Sequence, residues 1–220
     1  EIARRFEVSR VTASKAVSRL VSDGVLEIRK GSGTFIRSGV LDYDLRQLVS
    51  FTEKARAAGK KPKTKVLEFH ETTAAELSKE LRAELEVDRD DKLFYVERLR
   101  LADDTPVIYE RRWVVAEHCP KLTRTDVRGS LYSVWTEKFG LEIIGAEETI
   151  RAINVSSKQA ELLDVLPQTA GLLVLSTGLV ANNQPLWWEE TLYRTDIYEF
   201  QNRLGGIKSS RPAVGQFKAR

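Results

Sequence analysis

The stretch from Val8 to Ile36, VSRVTASKAVSRLVSDGVLEIRKGSGTFI, constrains the chain most, because it reads as one helix followed by a short hairpin. Ser9 is placed as an N-cap, where its hydroxyl accepts a hydrogen bond from a backbone N–H left unpaired in the first turn. After it, Val11, Ala13, Ala16, Val17, Leu20 and Val21 fall at helical spacing and predict one buried stripe, with Arg10, Thr12, Ser14, Lys15 and Arg19 facing outward. Asp23-Gly24 ends the helix, and Gly24 suits the left-handed conformation common at a helix C-terminus. Leu26 to Arg29 and Thr34 to Ile36 read as paired strands around the turn Lys30-Gly31-Ser32-Gly33. Upstream, Ile2, Ala3 and Phe6 put an apolar face on a short helix, and Glu7-Val8 is a tight turn.

Helix, tight turn and helix is the arrangement that inserts its second helix into the DNA major groove, and a two-stranded wing follows here. Cations and small hydroxyl residues on the outward face suit phosphate oxygens and base edges, and a glycine wing tip lets backbone approach DNA. An ordinary helical hairpin with a solvated basic face is the alternative. A net charge of only +3 over 220 residues means that any nucleic-acid binding comes from a local patch. The first 40 residues supply one in Arg4, Arg5, Arg10, Lys15, Arg19, Arg29, Lys30 and Arg37, set against Glu1, Glu7, Asp23 and Glu27.

The segment EIARRFEVSRVTASKAVSRLVSDGVLEIRKGSGTFI resembles the winged helix-turn-helix of GntR-type bacterial transcription regulators, with its Ser-Arg-x-Thr helix start and Gly-Ser-Gly-Thr wing. The resemblance implies that Ser9, Arg10, Thr12 and the wing at Lys30 and Gly31 meet operator DNA, and the outward face of the helix adds Lys15 and Arg19 as DNA-binding candidates. Ser14 lies among them but departs from the pattern, since many relatives carry a guanine-reading arginine there. The chain opens inside a helical pattern and has no methionine, so residues are expected to be absent, among them a first helix covering Ile2 and Phe6.

Two domains are the natural expectation at this length. The spacing predicts a winged domain over 1–38, a linker over 39–42, a second domain over 43–204 and a poorly ordered tail over 205–220. A lone Cys119 forms no internal disulfide, no paired-cysteine metal site is visible, and no long apolar run or signal segment occurs. The expectation is a cytoplasmic protein with no cofactor and no membrane partner.

Within the second domain, Ser50 and Thr52 are candidate caps for a short helix running from Glu53 to Ala58, stopped by Gly59. A helix start also offers N–H groups to an anion. Lys65 to Glu71 reads as a strand and Ala74 to Leu85 as a helix capped by Thr73. Leu93 to Ala102 and Pro106 to Val115 form a hairpin around Asp103-Asp104-Thr105. With a three-residue loop, Ala102 pairs with Pro106 and Arg98 faces Glu110, while Arg100 shares the face of Arg98 by strand alternation. On spacing alone this is a cross-strand salt bridge on a solvated surface. GSLYSVWTEKFG predicts a helix from Ser130 to Gly140 with Leu131, Val134, Trp135 and Phe139 buried, and a second hairpin turns at Asn182-Asn183-Gln184.

This α+β region resembles the UTRA effector-binding domain of the HutC subgroup of GntR regulators, a chorismate-lyase-like fold, through SFTE, ERLRLADDTPVIYERRW, GSLYSVWTEKFG and NNQPLWWEETLYRTDIYEF. The resemblance implies one effector pocket for a small anionic metabolite such as a sugar phosphate or carboxylate, contacted by Arg98, Arg100, Glu110, Ser130, Tyr132, Trp187 and Tyr193, with the backbone and hydroxyls of Ser50, Phe51 and Thr52 taking its anionic group. Relatives that bind amino-sugar phosphates often carry an acidic residue where this chain has Trp187, and either Glu189 or Glu190, on opposite faces, is the substitute. The implied protein is a homodimeric repressor released from double-stranded operator DNA by that effector. A sensor acting through protein partners, or a lyase-like enzyme, is the alternative, although neither His70, His118 nor Cys119 sits in a nucleophile or metal spacing.

Overall fold

The computed structural model describes residues 2–22, 26–29, 33–36, 41–44 and 48–202. The predicted helix end at Asp23-Gly24, Lys30 and Gly31 of the wing tip, and the tail after Leu204 lie outside the described residues.

In the N-terminal part, α1 (Ile2–Arg5) leads through a turn, with Glu7 at φ 53, into α2 (Arg10–Ser22). Ser9 caps α2 as expected: its Oγ accepts from Thr12 N at 3.0 Å and lies 2.8 Å from the Thr12 hydroxyl. The strands β1 (Leu26–Arg29) and β2 (Gly33–Ile36) pair antiparallel, with Arg29 opposite Gly33. The predicted buried stripe of α2 is only partly covered. Ala13 is buried, but Val11 and Leu20 remain 65% and 40% exposed, because α1 and β1 are the described elements packed on this helix and their cover stops short of both.

The larger part is α+β. Strand β3 (Leu41–Asp44) pairs in parallel with β10 (Tyr198–Gln201), so Leu41 and Asp42, read from sequence as linker, belong to a strand. Helix α3 (Phe51–Ala57) follows, then β4 (Pro62–Thr73), α4 (Lys79–Glu84), β5 (Lys92–Ala102) and β6 (Thr105–Val115). Helix α5 (Leu131–Ser133) runs into a π-helical turn over Val134–Lys138. Strand β7 (Ile143–Asn154), α6 (Ser157–Leu163), β8 (Ala170–Val180) and β9 (Gln184–Arg194) complete the unit. The main sheet has six strands in the order β4-β5-β6-β9-β8-β7, all antiparallel. It is two three-stranded meanders joined at the β6–β9 seam.

Two local expectations are corrected. Ala74 to Leu85 is not one helix, because Ala74–Glu76 is a single 3₁₀ turn and Leu77 returns to extended backbone. Ser78, whose Oγ accepts from Leu81 N, then caps α4, and Thr73 makes no side-chain cap bond. The β5–β6 loop has two residues, with Ala102 opposite Thr105 and Asp103 at φ 59. A bulge after Arg100 shifts the register by one, which restores the expected pairing of Arg98 with Glu110.

Directly opposed residues of an antiparallel pair share a face, so the ladder registers lay out one side of the sheet in rows. One row is Arg100, Ile108, Tyr193 and Leu172; the next is Arg98, Glu110, Thr191 and Val174; the third is Val96, Arg112, Glu189 and Ser176; the fourth is Phe94, Val114, Trp187 and Gly178. On this face an apolar cluster with Trp135, Trp187, Leu131 and Val127 lies at one end. A second, with Ala55 of α3, Leu41, Tyr193 and Tyr198, lies at the other. The polar rows sit between them. The opposite face is covered by α6 against Leu99, Tyr109 and Leu192, and by the Ala74–Leu85 segment against Leu93 and Val115.

Candidate functional site

The gap between the two apolar clusters holds a cavity of about 40 Å³ lined by Ser50, Phe51, Arg98, Arg100, Glu110, Arg112, Ser130, Tyr132, Glu189, Thr191 and Tyr193 with Val49, Ile108 and Leu131. Three strands deliver its charges. Arg98 Nε donates to Glu110, and its Nη1 reaches the carbonyls of Val127 at 2.9 Å and Gly129 at 3.2 Å, so this guanidinium ties the sheet to the turn before α5. Arg100 Nη2 donates to Thr52 Oγ1 at 3.0 Å, its Nη1 lies 3.6 Å from Glu110, and its Cζ stands 4.8 Å from the Phe51 ring centroid. Its Nε is buried with no hydrogen-bond partner. Arg112 forks onto Glu189, with Nε to Oε2 at 2.9 Å, and its guanidinium lies over the rings of Trp135 and Trp187 at 5.2 and 5.5 Å.

Electrostatics follow from this crowding. Burial alone would raise the Glu110 carboxyl, but Arg98, Arg100 and Arg112 outweigh it and hold the group down at about 2. Burial pulls the Arg98 guanidinium down against the attraction of Glu110, whereas for Arg112 the same penalty is overcome by Glu189 and Glu110. Tyr132 is raised, first by burial and then by Glu189, and stays a neutral hydroxyl.

Two helix starts frame the cavity. Ser50 caps α3 through a reciprocal box, in which Glu53 N donates to Ser50 Oγ at 3.2 Å and Ser50 N donates to Glu53 Oε2 at 3.1 Å. Thr52 does not cap; its hydroxyl serves Arg100 instead. Ser130 caps α5 by accepting from Ser133 N at 3.4 Å.

Eight of the ten residues assigned to the pocket from sequence line this cavity, and Thr52 stands just behind it, bonded to Arg100. Trp187 is the exception: it is fully buried and stacked on Trp135 at 4.5 Å. Its ring lies over Gly178, where a Cβ would lie 2.0 Å from it, and packs behind the cavity wall against Arg112, Tyr132 and Glu189. Of the two alternative acids, Glu189 takes the pocket face and Glu190 the other, where it pairs with Arg111. Sequence reasoning passes over Arg112 and Thr191, although Arg112 stands two residues after Glu110 and Thr191 two before Tyr193, which is the spacing of a shared strand face. A larger groove of about 630 Å³ lies elsewhere, rimmed by Glu71, Glu86, Asp90, Asp91 and Glu117. Its five carboxylates outnumber the two lysines beside them, Lys92 and Lys121, and none of the residues assigned from sequence borders it.

On α2, Arg10, Val11, Ser14, Lys15 and Ser18 bound an open surface groove, and Arg10, Thr12, Ser14, Lys15 and Arg19 are exposed. A helix-turn-helix presenting cations beside a two-stranded wing, joined in one chain to a domain with a buried arginine-rich pocket, defines a ligand-responsive DNA-binding regulator. Residues 57–199 match the UTRA domain family, and residues 1–36 match the bacterial regulatory proteins of the gntR family. The chain belongs to the GntR transcription regulators of the HutC type, with a UTRA effector domain.

Among its relatives are GmuR of Bacillus subtilis, 30% identical over 202 residues covering 90% of this chain and 83% of that one. The mannosyl-D-glycerate transport/metabolism system repressor MngR of Escherichia coli is 28% identical over 206 residues, covering 94% and 84%. The crystal structure of PhnF from Mycobacterium smegmatis superposes with a TM-score of 0.69 at 26% identity over 94% of this chain and 89% of that one. The protein is a transcriptional regulator and not an enzyme. Among the described residues, no helix is long and apolar enough to cross a membrane.

Proposed function

We propose that the protein is a homodimeric, cytoplasmic repressor that leaves its operator when a small anionic metabolite, a sugar phosphate or sugar carboxylate, enters the pocket at Arg100. The carrying observation is the charge state of the cavity: three buried arginines face two carboxylates, and Arg100 Nε has no partner. An arginine fork takes a carboxylate or phosphate in bidentate fashion, and the hydroxyls of Thr52, Ser130 and Tyr132 beside it suit a polyhydroxylated body. The name of MngR refers to mannosyl-D-glycerate, a sugar carboxylate, which agrees with this class. Two winged domains set by the dimer would read two operator half-sites through Arg10, Ser14, Lys15 and the wing residues Lys30 and Gly31. Release requires the ligand to favour the DNA-incompetent arrangement, since equal affinity for both shifts nothing.

Fluorescence anisotropy on operator duplex separates the two ends. Arg10→Ala abolishes duplex binding and keeps effector binding, whereas Arg100→Ala binds duplex and ignores effector. Unchanged operator affinity of Arg10→Ala at fixed salt sinks the recognition-helix assignment.

A further inference from the structure

Resting on the operator-binding reading of the winged domain, we infer that the effector domain also touches the DNA: the basic corner where α3 runs into β4 is a second, sequence-independent contact for duplex phosphates. Charge is distributed unevenly in this domain. Residues 41–202 carry 22 Lys and Arg against 28 Asp and Glu, yet 54–65 hold six of those cations, Lys54, Arg56, Lys60, Lys61, Lys63 and Lys65, and no carboxylate. The remainder has 16 cations against 28 carboxylates. A body that acidic repels a polyanion, and the corner is where one is attracted.

The corner lies at the end of the domain that the chain enters from the wing. Leu41 at the start of β3 is 2% exposed and packs in one cluster with Ala55 of α3, with Ala58 against it. Five peptide steps separate Leu41 from Ile36, the last residue of β2, so the base of the wing is within about 18 Å of that cluster. Phosphates flanking a wing-bound half-site are therefore within range of the corner. Strand β4 then runs away from this end toward Glu68 and Glu71, and the acidic groove borders Glu71. Pairing also leaves the corner available. Arg56, Lys61 and Lys65 are exposed and have no ion-pair partner among the described residues. Lys60 pairs with Asp103 at 3.1 Å and Lys63 with Asp104 at 2.6 Å, with all four side chains at least 39% exposed. Pairs this open hold little energy, and exchanging the carboxylate for a phosphate oxygen costs little.

The test is fluorescence anisotropy of the full chain on operator duplex and on a scrambled duplex of equal length, each over a series of salt concentrations. Arg56→Gln/Lys61→Gln/Lys65→Gln is expected to flatten the slope of log affinity against log salt by about 2–3, at roughly 0.9 per lost phosphate contact, and equally on both duplexes. Affinity at low salt falls with it, by on the order of tenfold. A folded variant with the wild-type slope overturns the inference, and so does a loss confined to the operator. The same charge removed elsewhere, in Lys79→Gln/Arg89→Gln/Lys158→Gln, is expected to leave the slope in place. An equal flattening there means that bulk charge alone acts, which also overturns it. Asp103→Asn/Asp104→Asn gives the opposite readout, because it frees Lys60 and Lys63 while asparagine tolerates the φ of 59 at position 103. It is expected to steepen the slope, and an unchanged slope contradicts the inference. Wild-type protein that binds neither duplex overturns the DNA-binding reading as well, whereas Arg10-dependent binding that ignores the corner variants overturns this inference alone.

Discussion

Arg111 and Arg112 are neighbours on β6, Glu189 and Glu190 are neighbours on β9, and the ladder sets Arg111 opposite Glu190 and Arg112 opposite Glu189. The two pairs are chemically the same and one residue apart, yet they lie on opposite faces of the sheet. The Arg111–Glu190 side chains are 40% and 24% exposed, whereas Arg112 and Glu189 are 6% and 9% exposed. On the outer face, water screens each charge and the pair holds little energy. On the inner face, each charge depends on its partner, and the row beside it collects two more arginines and a second carboxylate. Burial, and not the presence of an ion pair, sets the charged rows of one face of this sheet apart from those of the other.

The largest expected effect that separates the faces is on stability. Arg112→Ala strands Glu189 without its fork and is expected to lower unfolding free energy by about 3–5 kcal/mol in urea denaturation. A loss below about 1 kcal/mol would place both pairs in the same class.

Acid sensitivity sharpens the contrast next. The Glu110 carboxyl is held at about 2 against an ordinary 4.5, a depressed value, so its contribution is complete above the unfolded-state value and is lost as pH falls from about 4.5 to about 2. The shift corresponds to about 3 kcal/mol. Stability measured across that interval is expected to flatten in Glu110→Gln relative to wild type. Equal slopes in Glu110→Gln and wild type would mean that the three arginines do not act on Glu110. The smallest effect belongs to Arg111→Ala, expected to cost about 0.2–1 kcal/mol by the same denaturation.

The same comparison shows what could be read from residues alone. Strand alternation and a hairpin turn place Arg98, Arg100 and Glu110 together, since they depend on a single local pairing. That placement holds although the loop is one residue shorter than expected, because the bulge after Arg100 compensates. The recruitment of Arg112 by Glu189 depends on the β6–β9 seam, which joins positions 77 residues apart in the chain, and no local spacing reveals it. Trp187 shares the correct face, but only the missing Cβ of Gly178 on the neighbouring strand tells where its ring goes. The parallel pairing of Leu41–Asp44 with Tyr198–Gln201 was hidden for the same reason, as it joins the two ends of the domain. On α2, Ser9 and its capping bond were legible because a cap is a three-residue event.

Thermal melting of the wild type and of Arg100→Ala against a panel of sugar phosphates and sugar carboxylates tests the buried face most directly. At least one such anion, at about a hundredfold excess over its Kd, should raise the wild-type Tm by ~5–10 °C and leave Arg100→Ala unmoved. An anion that stabilises both proteins equally would contradict the assignment of the Arg98–Arg100–Glu110 face as the effector site.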